Sequence, residues 1–467
     1  MIDRLKVFST WLTQLSWLER LWLLAPIAIW FSYLPRISFG GDPTMNYELS
    51  VVLIYITILA IVGVPTIWRH RRQVIHSKHI WILTAYVVWS ALTVIWSPNS
   101  LRGFLTAGIL GLVYLVFLAA WLIRTRLRPI LPTMVNLFVG AAAIACFLSL
   151  AQMVAGTYIQ SRSELGLCAG CVAGQFGFVR PNLFAIEPQF LGSLLLAPTL
   201  IVYYRLIARR RSWANSLVFI LLATTLGLTL SRGAIYACGV GMVVMWLAVR
   251  KHWLNKLATV DLVIVAIVAC LGIQGGLAAI NPYIHETFWG AIAKSVNHLS
   301  LGTIDFRGDR ESVDDKTSES HFPVDPSLSS TDSQQLPAYD GYVAESTDVR
   351  VNLTKTALAA WSEQDLPHRL FGTGLGSAGI VMAQQTGSSY QKEIVQNEYV
   401  EVLLERGMVG FLLFIVAIGS TLYQVRRRGR QALAWPILAA YLVQWCFFSG
   451  LPNALHIYLI ASWLVMM

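Results

Sequence analysis

Four arginines could hold an anionic ligand, because the order of apolar and polar segments places each at or near one edge of a membrane. They are Arg102, Arg180, Arg232 and Arg350. A guanidinium group binds phosphate oxygens in a planar, bidentate manner, so such residues favour a phosphate or diphosphate site. The alternative for any one of them is a structural role, at lipid headgroups or beside a loop carboxylate. The case for a ligand is strongest at Arg232, which lies in a turn of a few residues between two apolar segments.

Carboxylates beside apolar segments are candidates for general acid–base chemistry. Glu187 directly precedes Pro188 and an apolar run, where it could be a general base, an ion partner of Arg180 or Arg232, or an acid that favours a helix start. Three further glutamates, at positions 398, 401 and 405, fall on one face of a helix. Glu398 lies nearest to the preceding polar loop and is the best candidate of the three for proton transfer.

Two other motifs each permit more than one interpretation. The run Phe371-Gly-Thr-Gly-Leu-Gly376 indicates a tight turn or a backbone cradle near a diphosphate. Cys168 and Cys171 favour a local disulfide, with free thiols or a metal site as alternatives. The sequence has no H-E-x-x-H zinc motif and no Walker motif, which argues against a metalloprotease and an ATP-driven pump.

The composition predicts that transmembrane helices position these residues. The chain has 467 residues, of which 56% are hydrophobic and 13% charged, against about 25% charged in soluble domains. This excludes a soluble enzyme, a disordered protein and a secreted disulfide scaffold. Apolar runs suited to crossing a bilayer lie near 21–35, 49–68, 80–96, 104–123, 131–155, 189–204, 214–230, 234–249, 258–280, 399–424, 433–449 and 454–467. We therefore expect an all-α polytopic membrane protein with about twelve transmembrane helices.

The charge pattern predicts the orientation of these spans. The net charge of +10 arises largely from short basic loops that alternate along the chain. By the positive-inside rule these loops and both termini are cytoplasmic, and nucleic acid is not implied as a partner. The four arginines then lie at the outer membrane edge, where the same rule disfavours basic residues. The position of each of them therefore requires a specific explanation.

This topology divides the chain into four regions. They are a cytoplasmic amphipathic lead-in over 1–20, spans 1–9 over 21–280 with an outer loop at 157–188, a large extracytoplasmic loop over 281–398, and spans 10–12 over 399–467. Short helices are expected in the large loop. Its segment 305–345 is expected to be mobile, because it is rich in Asp, Ser, Pro and Glu and has little periodicity.

In this order the segments resemble the O-antigen ligase and O-antigen polymerase superfamily of bacterial membrane glycosyltransferases. The resemblance rests on Arg102, on Arg180 to Pro188, on Ser231-Arg232-Gly233-Ala234, on Arg350 ahead of the glycine-rich run, and above all on Asn397 to Gly410. It implies a GT-C-like fold in the bacterial cytoplasmic membrane. It also implies transfer of a glycan from an undecaprenyl-diphosphate-linked oligosaccharide to a glycan, lipid or other acceptor at the outer face.

The resemblance also implies roles for individual residues. Arg232 and Arg350 match two arginines that hold the donor diphosphate in the ligases, helped here by Arg102 or Arg180. The ligases have a histidine before a final asparagine, whereas Gln396 precedes Asn397 in this chain and cannot take a proton. The base is then Glu398 or Glu187, or a histidine among His298, His321, His368 and His456, or no base is needed because the arginines activate the diphosphate. The carboxylates are favoured, as is a polymerase over a core-lipid ligase, and the scheme requires no metal or cofactor.

Two other classes of protein fit parts of the pattern. A transporter or flippase for a polyprenyl-linked glycan would share the spans and the outer arginines, but such proteins usually place polar residues near the bilayer midplane. A scaffold protein of a glycan-assembly complex would depend on no single arginine.

Overall fold

The chain is an all-α polytopic membrane protein, as the sequence predicts. A computed structural model describes residues 13–41, 46–158, 179–208, 212–249, 253–280, 342–392, 394–427, 431–449, 451 and 454–466, with residues 292, 293, 295, 296 and 299. The candidate disulfide of Cys168 and Cys171, the histidines His298 and His321, and most of the segment 305–345 lie outside these residues.

The described residues form sixteen α-helices. They are α1 Trp17–Ala28, α2 Val51–Arg69, α3 Arg71–Ile75, α4 Lys78–Leu92, α5 Ser100–Leu127, α6 Leu131–Tyr158, α7 Pro188–Ala208, α8 Trp213–Leu228, α9 Arg232–Ala248, α10 Trp253–Ile280, α11 Tyr342–Glu363, α12 Leu366–Phe371, α13 Ala378–Thr386, α14 Glu398–Arg427, α15 Gln431–Gln444 and α16 Leu455–Met466. Short 3-10 turns follow α1 and α4, at Ile29–Phe31 and Thr93–Trp96.

Seven helices of the described part of the chain are long and apolar enough to cross a membrane. They lie in α2, α4 with its 3-10 turn, α5, α6, α7, α10 and α14. The helices α8, α9, α15 and α16 are shorter apolar segments. Together with α1, these helices coincide with the twelve apolar runs of the sequence. The cytoplasmic location of the termini stays a prediction.

A small β-hairpin adds to the helical fold and was not expected from the sequence. Strands β1 (Arg36–Gly41) and β2 (Asn46–Ser50) pair antiparallel, with Arg36 opposite Ser50 and Ser38 opposite Glu48. An ion pair between Arg36 and Glu48 joins the two strands. The hairpin connects α1 to α2, so it lies between the first two predicted spans.

Helix α7 lies at the centre of the bundle and packs closely on α9. Nearly all of its side chains from Pro188 to Ile207 are buried. A Cβ added to Gly192 of α7 would lie 2.8 Å from the Cβ of Ala234, and one added to Gly241 of α9 would lie 2.7 Å from Leu200. Small residues permit this close approach of two helices in a membrane. The first turns of α7 and α9, which carry candidate residues, are therefore fixed relative to each other.

Candidate functional site

The first turn of α7 brings Arg350 of the large loop to Glu187. The Nη2 of Arg350 donates to the side-chain oxygen of Gln189 at 2.9 Å. The side-chain nitrogen of Gln189 in turn donates to a carboxylate oxygen of Glu187 at 2.8 Å. Arg350 and Glu187 are two predicted residues that lie far apart in sequence. The amide that joins them, Gln189, was not predicted, since nothing in its sequence context distinguishes it.

Arg232 begins α9 directly beside this turn. The Cβ that Gly192 lacks would lie 3.1 Å from the Cβ of Ser231, so the residue before Arg232 packs one turn below Gln189. The Arg232 side chain is buried at 4% exposure. Arg232 and Arg350 are thus positioned by adjacent elements, as a shared anionic ligand would require.

Arg180 bonds to the backbone at the end of α8, and its role as a diphosphate ligand stays a prediction. Its Nε and Nη2 both donate to the backbone oxygen of Thr229, at 3.0 and 2.8 Å. Thr229 follows the last residue of α8, where unpaired carbonyl groups attract a cation. Arg180 therefore holds the turn between α8 and α9, from which Arg232 projects.

The loop of residues 445–449, called the 445–449 loop below, joins the start of α14 to the start of α9. The backbone nitrogen of Glu398 donates to the oxygen of Trp445 at 2.9 Å. The side chain of Ser449 donates to the Glu401 carboxylate. A Cβ on Gly233 would lie 2.7 Å from the Cβ of Phe447. The sequence interpretation assigned these residues to a membrane span and missed their role.

Asn397 caps a helix, and this function accounts for both of its polar atoms. Its side-chain oxygen accepts from the backbone nitrogens of Tyr399 and Val400 at 3.1 and 3.3 Å, as an N-cap residue does. Its Nδ2 donates to the Cys446 oxygen at 3.4 Å. The preceding Gln396 has a left-handed backbone (φ 56°), and its buried Oε1 accepts no hydrogen bond from the described residues.

Glu398, Glu401, Glu405 and Arg406 form a buried charge cluster in the first turns of α14. The glutamates are 3%, 9% and 3% exposed, so all three are buried. Arg406 attracts Glu398 and Glu405, and its Nη1 donates to the Tyr86 hydroxyl at 3.0 Å. Arg102 at the start of α5 interacts electrostatically with Glu401. This interaction places Arg102 near the buried charge cluster.

The glycine-rich run is a packing element and not a free cradle. The backbone nitrogens of Thr373 and Gly374 donate to the oxygens of Leu404 and Glu405 at 3.0 and 2.9 Å, and that of Leu375 donates to the Thr93 hydroxyl at 3.2 Å. The run wraps around Gly407, where α14 departs from helical geometry (φ 66°). Because these three amides are already bonded, they support the tight-turn interpretation and are not free to bind a diphosphate.

The two described histidines that could act as a base have protein partners. His368 is exposed on α12 and bonds to Asp365, and this hydrogen bond lowers the pKa of the Asp365 carboxyl. His456 of α16 is fully buried between the Tyr33 hydroxyl (3.4 Å) and the Ser193 hydroxyl (2.7 Å). The burial of His456 argues against direct contact with a soluble acceptor.

The cysteines and carboxylates of the described residues offer no metal site. No group of three His, Cys, Asp or Glu side chains among these residues could hold a metal ion. Cys146, Cys238, Cys270 and Cys446 are free thiols, and only Cys446 is exposed.

Residues 217–415 match the family model described as O-antigen ligase. This segment runs from α8 into α14 and contains Arg232, Arg350, the glycine-rich run and the buried charge cluster. Arg102, Arg180, Glu187 and the 445–449 loop lie outside it. No curated protein matches the chain.

Proposed function

From the match of residues 217–415 to the O-antigen ligase family, we propose that this chain transfers a glycan and that its donor is a glycan on undecaprenyl diphosphate. The transfer takes place at the outer face of the cytoplasmic membrane. The acceptor is a second glycan in a polymerase reaction, or a lipid or other molecule in a ligase reaction. The absence of a histidine at Gln396 favours the polymerase.

One observation supports this proposal above the others. Arg350 is joined through Gln189 to Glu187, beside the first turn of α9 that carries Arg232. Two arginines and a carboxylate on neighbouring elements are suited to the displacement of a diphosphate by a hydroxyl. The arginines stabilise the charge that develops on the leaving group, while the carboxylate takes the hydroxyl proton.

The proposed step is a direct displacement at the anomeric carbon. The acceptor oxygen forms a bond to that carbon as the bond to the diphosphate oxygen breaks. The bonding electrons go to the diphosphate, which Arg232 and Arg350 neutralise. The proton of the acceptor hydroxyl goes to Glu187.

The difference in burial favours Glu187 over Glu398 as the base. Glu187 is exposed, whereas Glu398 is 3% exposed within the buried charge cluster. An acceptor hydroxyl can reach Glu187 without displacing protein groups. Glu398 instead has the role of holding α14 in place, together with Arg406.

We expect Glu187→Gln to lower kcat by about 10²–10⁴-fold with little change in KM, the range for loss of a general base. The amide keeps the shape of the side chain but cannot accept the proton. The measurement is the initial rate of glycan transfer in lipid vesicles at several donor concentrations. Glu363→Gln, an exposed carboxylate on α11, is the matched control and keeps full activity. Activity retained by Glu187→Gln and lost by Glu398→Gln would move the base role to Glu398.

The experiment that tests the function uses the full chain in lipid vesicles with a polyprenyl-diphosphate-linked oligosaccharide. Products are separated by gel and mass. A ladder of repeat units without added acceptor supports a polymerase. Product formed only with a separate acceptor supports a ligase. Donor that crosses the bilayer unchanged would contradict glycan transfer and favour a transporter.

A further inference from the structure

Helix α12 has one apolar face that the protein leaves uncovered. Leu366, Leu370 and Phe371 are 66%, 38% and 44% exposed. Leu366 and Leu370 are four residues apart, so they lie on the same side of the helix. The polar residues Asp365, His368 and Arg369 make their own contacts. Asp365 bonds to His368, and the Arg369 guanidinium lies 5.3 Å from the Trp361 ring centroid. The helix is therefore amphipathic.

The apolar face of α12 is continuous with the lipid-facing surface of α4. The Phe371 ring lies 5.8 Å from the Trp89 ring, and the Trp96 indole donates to the Gly372 oxygen at 3.0 Å. Helix α4 with its 3-10 turn is one of the seven candidate spans. Its exposed apolar side chains, including Val88 and Ile95, face outward beside α12.

Two hydrogen bonds between α4 and α14 allow the depth of α12 in the membrane to be estimated. His79 bonds to Ser420 at 2.9 Å near the basic ends of both helices, next to Lys78. Ten residues further along α4, Trp89 donates to the Arg406 oxygen at 3.0 Å. At 1.5 Å per residue this is about 15 Å along the helix axis. The hydrocarbon core of a bilayer is about 30 Å thick. Phe371, in contact with Trp89, thus lies within the thickness of the membrane.

We propose that the apolar face of α12, formed by Leu366, Leu370 and Phe371, inserts among phospholipid acyl chains. The leaflet is the one nearer to Arg232 and Arg350. The insertion fixes the unit of α11, α12 and α13 to the membrane surface. Helices α11 and α13 pack a small core, including Ala357 and Met382, against Leu404 of α14, and the Trp361 indole of α11 donates to the Arg369 oxygen of α12 at 3.2 Å. Helix α11 carries Arg350, so the anchor holds that guanidinium at the depth of a membrane-borne ligand. A short amphipathic helix in this position gains stability from the apolar area it buries in lipid.

The test is spin labelling of the full chain in phospholipid vesicles, in a variant whose six cysteines are replaced by alanine. A nitroxide is attached at Leu370→Cys, and its collision rates with oxygen and with a water-soluble nickel complex are compared. Oxygen concentrates in acyl chains and the nickel complex in water. We expect the Leu370 label to prefer oxygen, as does a label at Val88→Cys on the lipid-facing side of α4.

The matched control is Gln384→Cys on α13, which is exposed and polar and is expected to prefer the nickel complex. Leu366→Cys is a second reporter, because that side chain is 66% exposed and its loss removes little packing. A preference for nickel at both Leu366 and Leu370 would overturn the proposal. The collision rates do not depend on glycan transfer, so they test the insertion of α12 independently of the proposed function.

Discussion

Replacement of Arg350 or Arg232 by alanine is expected to lower kcat of glycan transfer by about 10²–10³-fold, the cost of removing one preorganised donor from a developing oxyanion. Each guanidinium stabilises the diphosphate more in the transition state than in the bound donor. Their loss therefore affects kcat more than KM. The measurement is the initial rate of transfer in vesicles at several donor concentrations up to saturation, which gives kcat and KM separately. Arg350→Lys is expected to recover only part of the rate, because an ammonium group lacks the bidentate fork.

Arg205→Ala is the matched control for this pair. Arg205 lies near the end of α7 opposite to Glu187 and bonds to Asn136 at 2.7 Å. Its loss removes the same charge without touching the proposed site, so transfer should be unchanged. Full activity in both Arg232→Ala and Arg350→Ala would exclude the diphosphate clamp.

The second large effect concerns folding. Gly374→Ala is expected to lower the stability of the protein by about 3 kcal/mol or more, from backbone strain of about 1–3 kcal/mol and overpacking of about 1–3 kcal/mol. Gly374 has φ 101°, and an added Cβ would overlap the Cα of Ser97. The expected result is a lower thermal unfolding midpoint in detergent and a lower yield of monodisperse protein.

The variant Gly387→Ala distinguishes backbone strain from overpacking as the cause of the lower stability. Gly387 also has a left-handed backbone (φ 67°), but an added Cβ would contact nothing within 4 Å. Only backbone strain then lowers the stability of this variant, by about 1–2 kcal/mol. Equal shifts in the two variants would mean that the close approach of Gly374 to Ser97 contributes nothing to stability.

The helices of this fold could be predicted because a bilayer demands long apolar segments. Each predicted span coincides with a helix, and the bounds differ by a few residues, as at α5, which begins at Ser100 and not at 104. The break at Gly407 could not be predicted from hydropathy. It depends on the glycine-rich run packing against Leu404 and Glu405 from another part of the chain. Hydropathy likewise gives no signal for the β1–β2 hairpin.

The residue types of the candidate site could be chosen from the sequence, but their partners could not. Arg350 and Glu187 are candidates by type and position, and their connection through Gln189 depends on tertiary packing. Two hydrogen bonds of Arg180 go to a backbone carbonyl group, which no sequence pattern displays. Asn397 belongs to the motif that carries the resemblance, and its contacts as a helix cap are visible only in the structure.

The 445–449 loop has a consequence for the order in which the protein is made. Trp445 and Ser449 bond to the first turns of α14, and His456 joins α16 to Ser193 of α7. Translation reaches these residues after every arginine and glutamate of the site is already in the nascent chain. The contacts that these residues make with α14 and α7 therefore form only after residue 456 has been synthesised. A chain interrupted before that point would carry the whole segment matched by the family model, and still lack the contacts that hold it together.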